Sequence, residues 1–148
     1  MFKRILIATD GSPLSRSAIS AGVELGKLTR ATIVGLHARP PMGFVLYGDA
    51  RIMVPPETEP EYERRVKAVS DAFVAEIEAA ARRADLSFEA ISVEDASPAD
   101  AIVRIARERD CDLIVMASHG RKGVSRILIG SETIKALTHA TQPVLVTR

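Results

Sequence analysis

One segment of the chain, Ala117 to Ser131, combines glycines and positive charge without any acidic residue. Its glycines stand at positions 120, 123 and 130, and its cations are Arg121, Lys122 and Arg126. Glycines let backbone N–H groups approach an oxyanion closely, and Gly130-Ser131 opens a predicted helix whose dipole favours negative charge. The combination predicts a phosphate-binding loop. A turn with structural glycines and solvated cations is the alternative, and this segment alone leaves both open.

A second candidate is Asp10, which follows the apolar run 5–8. A carboxylate at the end of a buried strand can accept hydrogen bonds from a ribose or a base, as acidic residues do in nucleotide-binding folds. Its alternative role is local, because Asp10-Gly11-Ser12 also suits an Asx turn or a helix cap. The residues favour neither role over the other.

The three histidines are weaker candidates. His37 and His119 fall at predicted strand ends, where either could contact a ligand, but two histidines without a third ligand do not make a metal site. Histidines in loops more commonly satisfy backbone groups. His139, near the end of the last predicted helix, is expected to interact with the helix dipole.

Several catalytic signatures are missing from the sequence. The chain has no G-x-x-x-x-G-K-[ST] phosphate loop, and no G-x-G-x-x-G follows its first apolar run. It also lacks H-E-x-x-H and the G-x-S-x-G nucleophile elbow, and no paired carboxylates stand in the candidate loops. The sequence therefore offers a place to bind a phosphate, but no evident machinery for cleaving one.

The elements that would position these residues alternate along the chain. Apolar or β-rich runs at 5–8, 32–36, 88–93, 112–116 and 143–146 predict strands. Helices are predicted after Ser12-Pro13, from Glu61 to about Asp85, after Ser97-Pro98, and around Ile134 and Leu137. Strict alternation predicts a parallel sheet with helices on both faces, in one domain spanning residues 1–148. Ligands bind at the carboxyl ends of such strands, where the loops after the first, second and fourth strands meet.

Apolar spacing also predicts which helix faces are buried. The predicted faces are Leu14, Ala18, Ala21, Leu25 and Leu28 in the first helix, Val66, Val69, Phe73, Ile77 and Ala80 in the second, and Ile102, Ile105 and Ala106 in the third. Ahead of the second helix, Arg39 to Pro60 holds five prolines and two glycines. That segment is predicted to be a long surface loop.

Composition narrows the class of protein. The 148 residues suit one domain with a sizeable core, and a net charge of +1 argues against a surface that coats nucleic acid. The single cysteine, Cys111, excludes a disulfide scaffold and a multi-cysteine metal site, and its apolar surroundings indicate a small buried side chain. No apolar stretch approaches the ~18 residues of a membrane span, and no signal-peptide core is present. We therefore expect a soluble, cytoplasmic protein without a nucleic-acid or membrane partner.

Three segments of the chain resemble the universal stress protein family. They are Ile5-Leu6-Ile7-Ala8-Thr9-Asp10-Gly11-Ser12, Met116-Ala117-Ser118-His119-Gly120, and Gly130-Ser131 ahead of Pro143-Val144-Leu145-Val146. The likeness covers the whole chain and its element order. It implies an open five-stranded parallel α/β sheet of order 3-2-1-4-5, Rossmann-like and similar to the adenine nucleotide alpha hydrolase fold. It also implies a homodimer formed through Val144, Leu145 and Val146, an apolar edge that invites pairing.

The resemblance further implies a nucleotide site. ATP-binding members of the family carry Gly, two residues, Gly, nine residues, Gly, then Ser or Thr. Gly120, Gly130 and Ser131 keep this spacing and would hold the phosphates of ATP, with or without Mg²⁺. Asp10 would meet the adenosine part, and the backbone of Ala38 would meet the adenine edge. The set of candidate binding residues is completed by Thr9, Ala117, His119, Arg121, Glu132 and Thr133.

Ala117 departs from the family pattern, because it stands where ATP-binding members have the first glycine. It would lie near the ribose, where its methyl group crowds the approach of the backbone. We expect it to weaken binding by ~1 kcal/mol, or a few-fold to tenfold in affinity.

Three functions stay open from the sequence. The first is a cytoplasmic, homodimeric stress-response module that binds ATP and changes its state or its unidentified protein partner with nucleotide occupancy, segment 39–60 acting as a lid. The second is a slow ATP hydrolase or phosphotransferase with a divalent metal, in which Ser131 would accept a phosphoryl group and His119 would move a proton. The third is a dimeric stress protein that binds no nucleotide and acts through protein contacts. ATP, ADP and a cyclic nucleotide suit the loop nearly equally.

Overall fold

The computed structural model describes residues 1–39, 41, 44–47, 50–53, 59–119 and 129–148. In chain order the elements are β1 (Arg4–Ala8), α1 (Pro13–Thr29), β2 (Thr32–Arg39), β3 (Phe44–Tyr47), β4 (Ala50–Met53), α2 (Glu59–Arg83), β5 (Phe88–Glu94), α3 (Pro98–Glu108), β6 (Leu113–Ala117), α4 (Ser131–His139) and β7 (Val144–Thr147). None of the helices among these residues is long and apolar enough to cross a membrane.

Five strands form one parallel sheet in the order β5-β2-β1-β6-β7. Counted over the strands of this sheet alone, the order is 3-2-1-4-5, which confirms the prediction. From β1 the chain proceeds to β2 and β5 on one side, and then crosses to β6 and β7 on the other. The carboxyl ends of β1 and β6 therefore flank the point at which the strand order reverses, where α/β sheets bind their ligands.

Successive residues of the central strands enter two separate apolar clusters, because side chains alternate across a sheet. Leu6 and Ile114 pack with α3 and α4, whereas Ile5, Ile7 and Val115 pack with α1 and α2. All five are fully buried. Helices thus cover both faces of the sheet, as the uninterrupted apolar runs predict.

Helices α1 and α3 begin with the same serine–proline pair, as predicted. Ser12 caps α1 and Ser97 caps α3, each by accepting a hydrogen bond from the backbone N–H three residues on, at 3.2 and 3.4 Å. Pro13 and Pro98 follow in the first turn, where the missing N–H of proline costs the helix nothing. These caps fix the two helix starts near the carboxyl edge of the sheet.

The buried face of α1 differs from the prediction. Leu28, expected inside, is 77 % exposed. The residues buried against the sheet are Ser15, Ala18, Ile19, Gly22, Val23 and Gly26. A Cβ at Gly22 would lie 2.5 Å from Ile7 Cδ1, and one at Gly26 would lie 2.8 Å from Ile33 Cδ1. The helix therefore packs with its glycines closest to the strands, which a count of apolar side chains does not detect.

The other two predicted faces agree better with the structure. Ile77 is fully buried, and the inner face of α3 is buried as predicted. Val66, Phe73 and Ala80 are half-buried. Val69 is 42 % exposed, and its neighbour Ser70 is buried instead. Ser70 takes the inner position because its hydroxyl lies 2.8 Å from Nδ1 of the buried His37.

The segment from Arg39 to Pro60 is not only a loop, which corrects the prediction. Strands β3 and β4 pair antiparallel within it, with Phe44 opposite Met53 and Tyr47 opposite Ala50. All five prolines of the segment lie outside the two strands. The proline count therefore obscures a short stretch rich in β-formers between the prolines.

Candidate functional site

A cavity of about 170 Å³ opens at the carboxyl ends of β1, β2 and β6. Seven of the eleven predicted binding residues line it: Thr9, Asp10, Ala38, Ala117, His119, Glu132 and Thr133. Gly130 and Ser131 directly precede the last two of these along the chain. Gly120 and Arg121 lie outside the described residues. The structure thus brings most of the predicted set to one place.

The floor of the cavity is apolar. Leu36 of β2, Ile102 of α3 and Met116 of β6 contribute to it, and the same three side chains belong to the core cluster on this face of the sheet. The floor is therefore part of the buried core of the protein. A concave apolar surface with a few polar groups around it is typical of pockets for small organic ligands.

The turn after β1 holds Asp10 by local hydrogen bonds. Asp10 Oδ1 accepts a hydrogen bond of 3.0 Å from the backbone N–H of Ser12, which is the Asx turn predicted as its alternative role. Thr9 Oγ1 accepts one from Gly11 N at 3.1 Å and donates one to Ser15 Oγ at 3.1 Å. The Asp10 carboxylate therefore lies at the cavity, on a turn that is stabilised by the hydrogen bonds of both Thr9 and Asp10.

Gly11 is the residue that permits this turn. Its φ of +74° lies in the left-handed region, which side chains other than glycine rarely adopt. A Cβ there would also lie 2.1 Å from Cε1 of Phe73, whose ring packs on the turn from α2. The turn that carries Asp10 is thus held against α2, and only glycine fits between them.

The backbone of Ala38 points toward the cavity. Thr9 N donates to Leu36 O at 2.9 Å, so the peptide groups of Leu36 face β1, and those of Ala38, two residues on, face the same side. The register of β1 with β2 ends at the pair Ala8–Leu36. The N–H and C=O of Ala38 therefore look into the space beyond the end of β1, where a planar ligand edge could pair with both.

Helix α4 starts beside the cavity without a side-chain cap. Its N-cap residue is Gly130, whose N–H donates to Ser118 O at 2.8 Å. A Cβ at Gly130 would lie 3.2 Å from that same carbonyl oxygen. Glycine thus eases the close approach of two backbone segments here, whereas its φ of −64° is ordinary.

Three helix N-termini border the cavity, and they differ in how they are capped. Ser12 caps α1, and α3 receives both Ser97 Oγ and the carboxylate of Glu132, whose Oε2 accepts a 2.9 Å hydrogen bond from Ala99 N. Only α4, of these three, begins with a residue that has no side chain. An unmet helix N-terminus attracts an anion through its N–H groups and its dipole. The start of α4 is therefore the place at this cavity suited to a phosphate.

The three histidines lie in different surroundings. His119 lines the cavity, with its Nδ1 3.1 Å from Ser118 Oγ. His37 instead faces α2, where it bonds to Ser70 and meets the ring of Phe73 edge-on at 5.1 Å. His139 stands in the last turn of α4, as predicted, with Nδ1 3.8 Å from an Asp100 oxygen.

Charge at the cavity is negative among the described residues that line it, since these include Asp10 and Glu132 but no lysine or arginine. Arg39, which follows Ala38, is paired with Glu63 and Glu94 at 3.1 Å each. The cations of the acid-free segment, Arg121, Lys122 and Arg126, lie outside the described residues. Within the part of the chain that the structure describes, no group of three His, Cys, Asp or Glu side chains could hold a metal ion.

Helix α3 contributes to the site, which was not predicted from the sequence. Pro98 and Ile102 line the cavity, although the loop after β5 was not among the three loops predicted to meet there. The signal was available, because Ser97-Pro98 repeats the helix start of Ser12-Pro13 directly after a strand of the same parallel sheet. No such signal marks the floor residues Leu36 and Met116, because their apolar side chains predict only that they belong to the core.

The family model that matches the chain is that of the universal stress protein family, over residues 1–148. The chain is 30 % identical over 149 residues to universal stress protein YxiE of Bacillus subtilis, with the whole of both chains covered. Among solved structures it is similar to MJ0577, with a TM-score of 0.73 and 25 % identity over 99 % of this chain and 96 % of that one.

Two further solved structures contain nucleotides. The universal stress protein from Archaeoglobus fulgidus in complex with dAMP has a TM-score of 0.69 and 19 % identity, covering 99 % of this chain and 98 % of that one. A universal stress protein in complex with cAMP has a TM-score of 0.67 and 22 % identity, covering 99 % and 97 %. At these identities the likeness concerns the fold.

Proposed function

The chain belongs to the universal stress protein family, and from that premise we propose that its cavity binds an adenine nucleotide, with the phosphates at the start of α4. ATP is the proposed ligand, with or without Mg²⁺. Residues 1–148 would act as one cytoplasmic stress-response domain that signals nucleotide occupancy. Relatives of the same fold in complex with dAMP and cAMP support the adenine nucleotide as the class of ligand.

The observation that carries the proposal is the uncapped N-terminus of α4 at the rim of the cavity. Gly130 leaves the N–H groups of the first turn without a side-chain partner of its own, and Ser131 follows on the exposed side. A phosphate would accept hydrogen bonds from these groups and meet the positive end of the helix dipole. The neighbouring N-termini of α1 and α3 are already capped, which supports α4 as the phosphate end.

The opposite end of the cavity suits an adenosine. The apolar floor would contact the faces of the base, and the Ala38 N–H and C=O would pair with its edge, because adenine presents an acceptor and a donor side by side. Asp10 would accept a hydrogen bond from a ribose hydroxyl. Ala117, between the two ends, would border the ribose.

Charge in the sequence agrees with ATP as the proposed ligand. Three cations and no acid lie between Ala117 and Ser131. A triphosphate carries more negative charge than a monophosphate and gains more from these cations. Gly120, which keeps the family spacing, and Arg121, which follows it, would be part of this phosphate end.

We also propose a homodimer through β7. This strand is the last of the sheet: the oxygen of Pro143, just before it, accepts a hydrogen bond from Ile114 N of β6, and the oxygen of Thr147 accepts one from Ser118 N, just after β6. The peptide groups of Val144 and Val146 therefore point outward, since residues alternate along a strand. The exposed Ile134 and Leu137 of α4 add apolar surface on the helix that leads into this strand.

The test of nucleotide binding compares two aspartates in the same kind of turn. Asp10 and Asp95 each accept a 3.0 Å hydrogen bond from the N–H two residues on, in Asp-x-Ser-Pro. Asparagine keeps that acceptor, but its amide nitrogen cannot accept a bond from a ribose hydroxyl. D10N should lower ATP affinity about tenfold, as expected for a hydrogen bond to a charged group, and D95N should leave it unchanged. Equal affinity of D10N and wild-type protein in calorimetric titrations would contradict the proposal.

A further inference from the structure

We propose that Thr133 is a positioning residue, which holds the start of α4 over the cavity and makes no contact with the nucleotide through its side chain. The inference rests on the proposed function, because it concerns the phosphate end of the same site. Thr133 is one of the binding residues predicted from the sequence. Its surroundings assign it a different role.

The proton of the Thr133 hydroxyl is engaged within the protein. The side chain is buried, with 3 % of the residue exposed. Its Oγ1 donates toward two carbonyl oxygens, Ala117 O and Ser118 O, at 3.1 Å each. A hydroxyl has one proton, and here that proton is shared between two acceptors at the end of β6. It cannot also donate to a phosphate.

The carbonyl of Ser118 is the point to which the start of α4 is tied. It accepts one hydrogen bond from Gly130 N at 2.8 Å and a second from Thr133 Oγ1. Ser118 is itself held by β7, because its N–H donates to Thr147 O at 2.8 Å. Two hydrogen bonds, from residues three positions apart along α4, thus fix both the distance and the tilt of its first turn relative to the end of β6. That end of β6 is itself bonded to β7.

These two hydrogen bonds to Ser118 O are important because Gly130 has no side chain with which to cap α4. The other two helix starts at the cavity are fixed by serine caps, whereas α4 has the Gly130 N–H and the Thr133 hydroxyl in their place. Without the hydroxyl, only the Gly130 N–H would join the first turn to the end of β6, and the Glu132–Ala99 bond to α3 would not replace that second bond to Ser118 O. Binding of phosphate would suffer, because it depends on the direction of the N–H groups of that turn. Binding of the base would not.

The experiment compares Thr133→Val with Thr133→Ser and with Thr138→Val. Valine keeps the shape and removes the hydroxyl, and serine keeps the hydroxyl. Thr138 is a matched control, since its hydroxyl donates to Ile134 O within the same helix on the exposed side. Affinities for ATP, AMP and adenosine are measured by calorimetry, and exchange of the Gly130 amide is followed by NMR.

T133V should weaken ATP about tenfold and adenosine less than twofold, the scale expected for loss of a held hydrogen-bonding group. T133S and T138V should bind like wild-type protein. In T133V the Gly130 amide should also exchange faster, with T133S protected as in wild type. A general structural defect would instead weaken all three ligands alike.

Equal losses for ATP and adenosine in T133V, or no loss for either, would overturn the inference. If the wild-type protein binds no nucleotide, the proposed function fails, and amide exchange alone then decides the role of Thr133. Faster exchange at Gly130 in T133V but not in T133S would still support positioning. Unchanged exchange in T133V would contradict it.

Discussion

Glu132, in the first turn of α4, accepts a 2.9 Å hydrogen bond from the backbone N–H of Ala99, in the first turn of α3. Its other oxygen accepts one from Lys135 Nζ at 3.1 Å. The carboxylate therefore satisfies a helix N-terminus that is not its own, and joins two helices that both border the cavity. Glu132 was predicted as a binding residue; whether it also contacts a ligand stays a prediction, but its bonds to the protein have a consequence for stability.

Replacing Glu132 by alanine should destabilise the protein by about 1 kcal/mol, because Ala99 N loses a charged capping partner at the positive end of α3. The matched control is Lys135→Ala, which removes only an exposed ion pair and should cost less than about 0.5 kcal/mol. Urea unfolding measures both free energies. Equal costs for the two variants would show that the bond to α3 contributes nothing.

Replacing Ala117 by glycine should raise affinity for ATP a few-fold to tenfold, because it removes the methyl group that we expect to crowd the ribose. Its backbone lies outside the left-handed region, so space rather than φ is what glycine supplies here. Ala117→Val should have the opposite effect. Calorimetric titration of both variants checks this, and an A117G protein that binds no better than wild type would remove Ala117 as the cause of any weak binding.

Deprotonation of the Cys111 thiol should lower the free energy of unfolding in alkaline solution. Burial raises the pKa of its thiol from 9.0 to about 11, against a smaller lowering by Arg4. Because the folded protein holds this proton more tightly than the unfolded chain, the contribution is complete below pH 9 and is lost as the pH rises through about 11.

The loss should amount to about 2–3 kcal/mol when complete, at 1.36 kcal/mol per pKa unit. Cys111→Ala removes the titrating group, so the difference between wild-type and variant unfolding free energies between pH 8 and pH 11 isolates it. Parallel curves for the two proteins would rule out the effect.

Replacing Val146 by proline should dissociate the proposed dimer while leaving the fold intact. Proline removes an N–H that points away from β6, and edge strands tolerate proline at such a position. Val146→Ala keeps the N–H and serves as the control. Sedimentation velocity should give a monomer for V146P and a dimer for V146A. A dimer that survives in V146P would place the interface elsewhere.

Much of the fold could be predicted because short local patterns in the sequence indicate its strands and its helix starts. Buried strands such as 5–8 and 113–116 are apolar without alternation, and Ser-Pro pairs mark the starts of α1 and α3. The alternation of strands and helices along the chain predicts a parallel sheet, and the family resemblance implies the strand order. The end of β1 and the start of α4 then converge by topology, which is why Asp10 and the Gly130 region could be named in advance.

The rest depends on contacts between distant residues. The face that α1 buries follows from Gly22 fitting against Ile7, and the turn at Gly11 follows from Phe73, 62 positions away. Local spacing encodes neither. The role of Thr133 likewise appears only once its hydroxyl is seen between two carbonyl oxygens of β6 and the turn that follows it.

The most direct test of the account is the nucleotide content of the protein. Purified protein is denatured, any released nucleotide is identified by chromatography, and emptied protein is then titrated with ATP and Mg²⁺. We expect about one adenine nucleotide per chain, either released from the purified protein or bound on titration, as a single copy of the proposed site in each chain implies. Protein that is empty as purified and binds no ATP at ~1 mM, an affinity scale of about 4 kcal/mol, would contradict a nucleotide site.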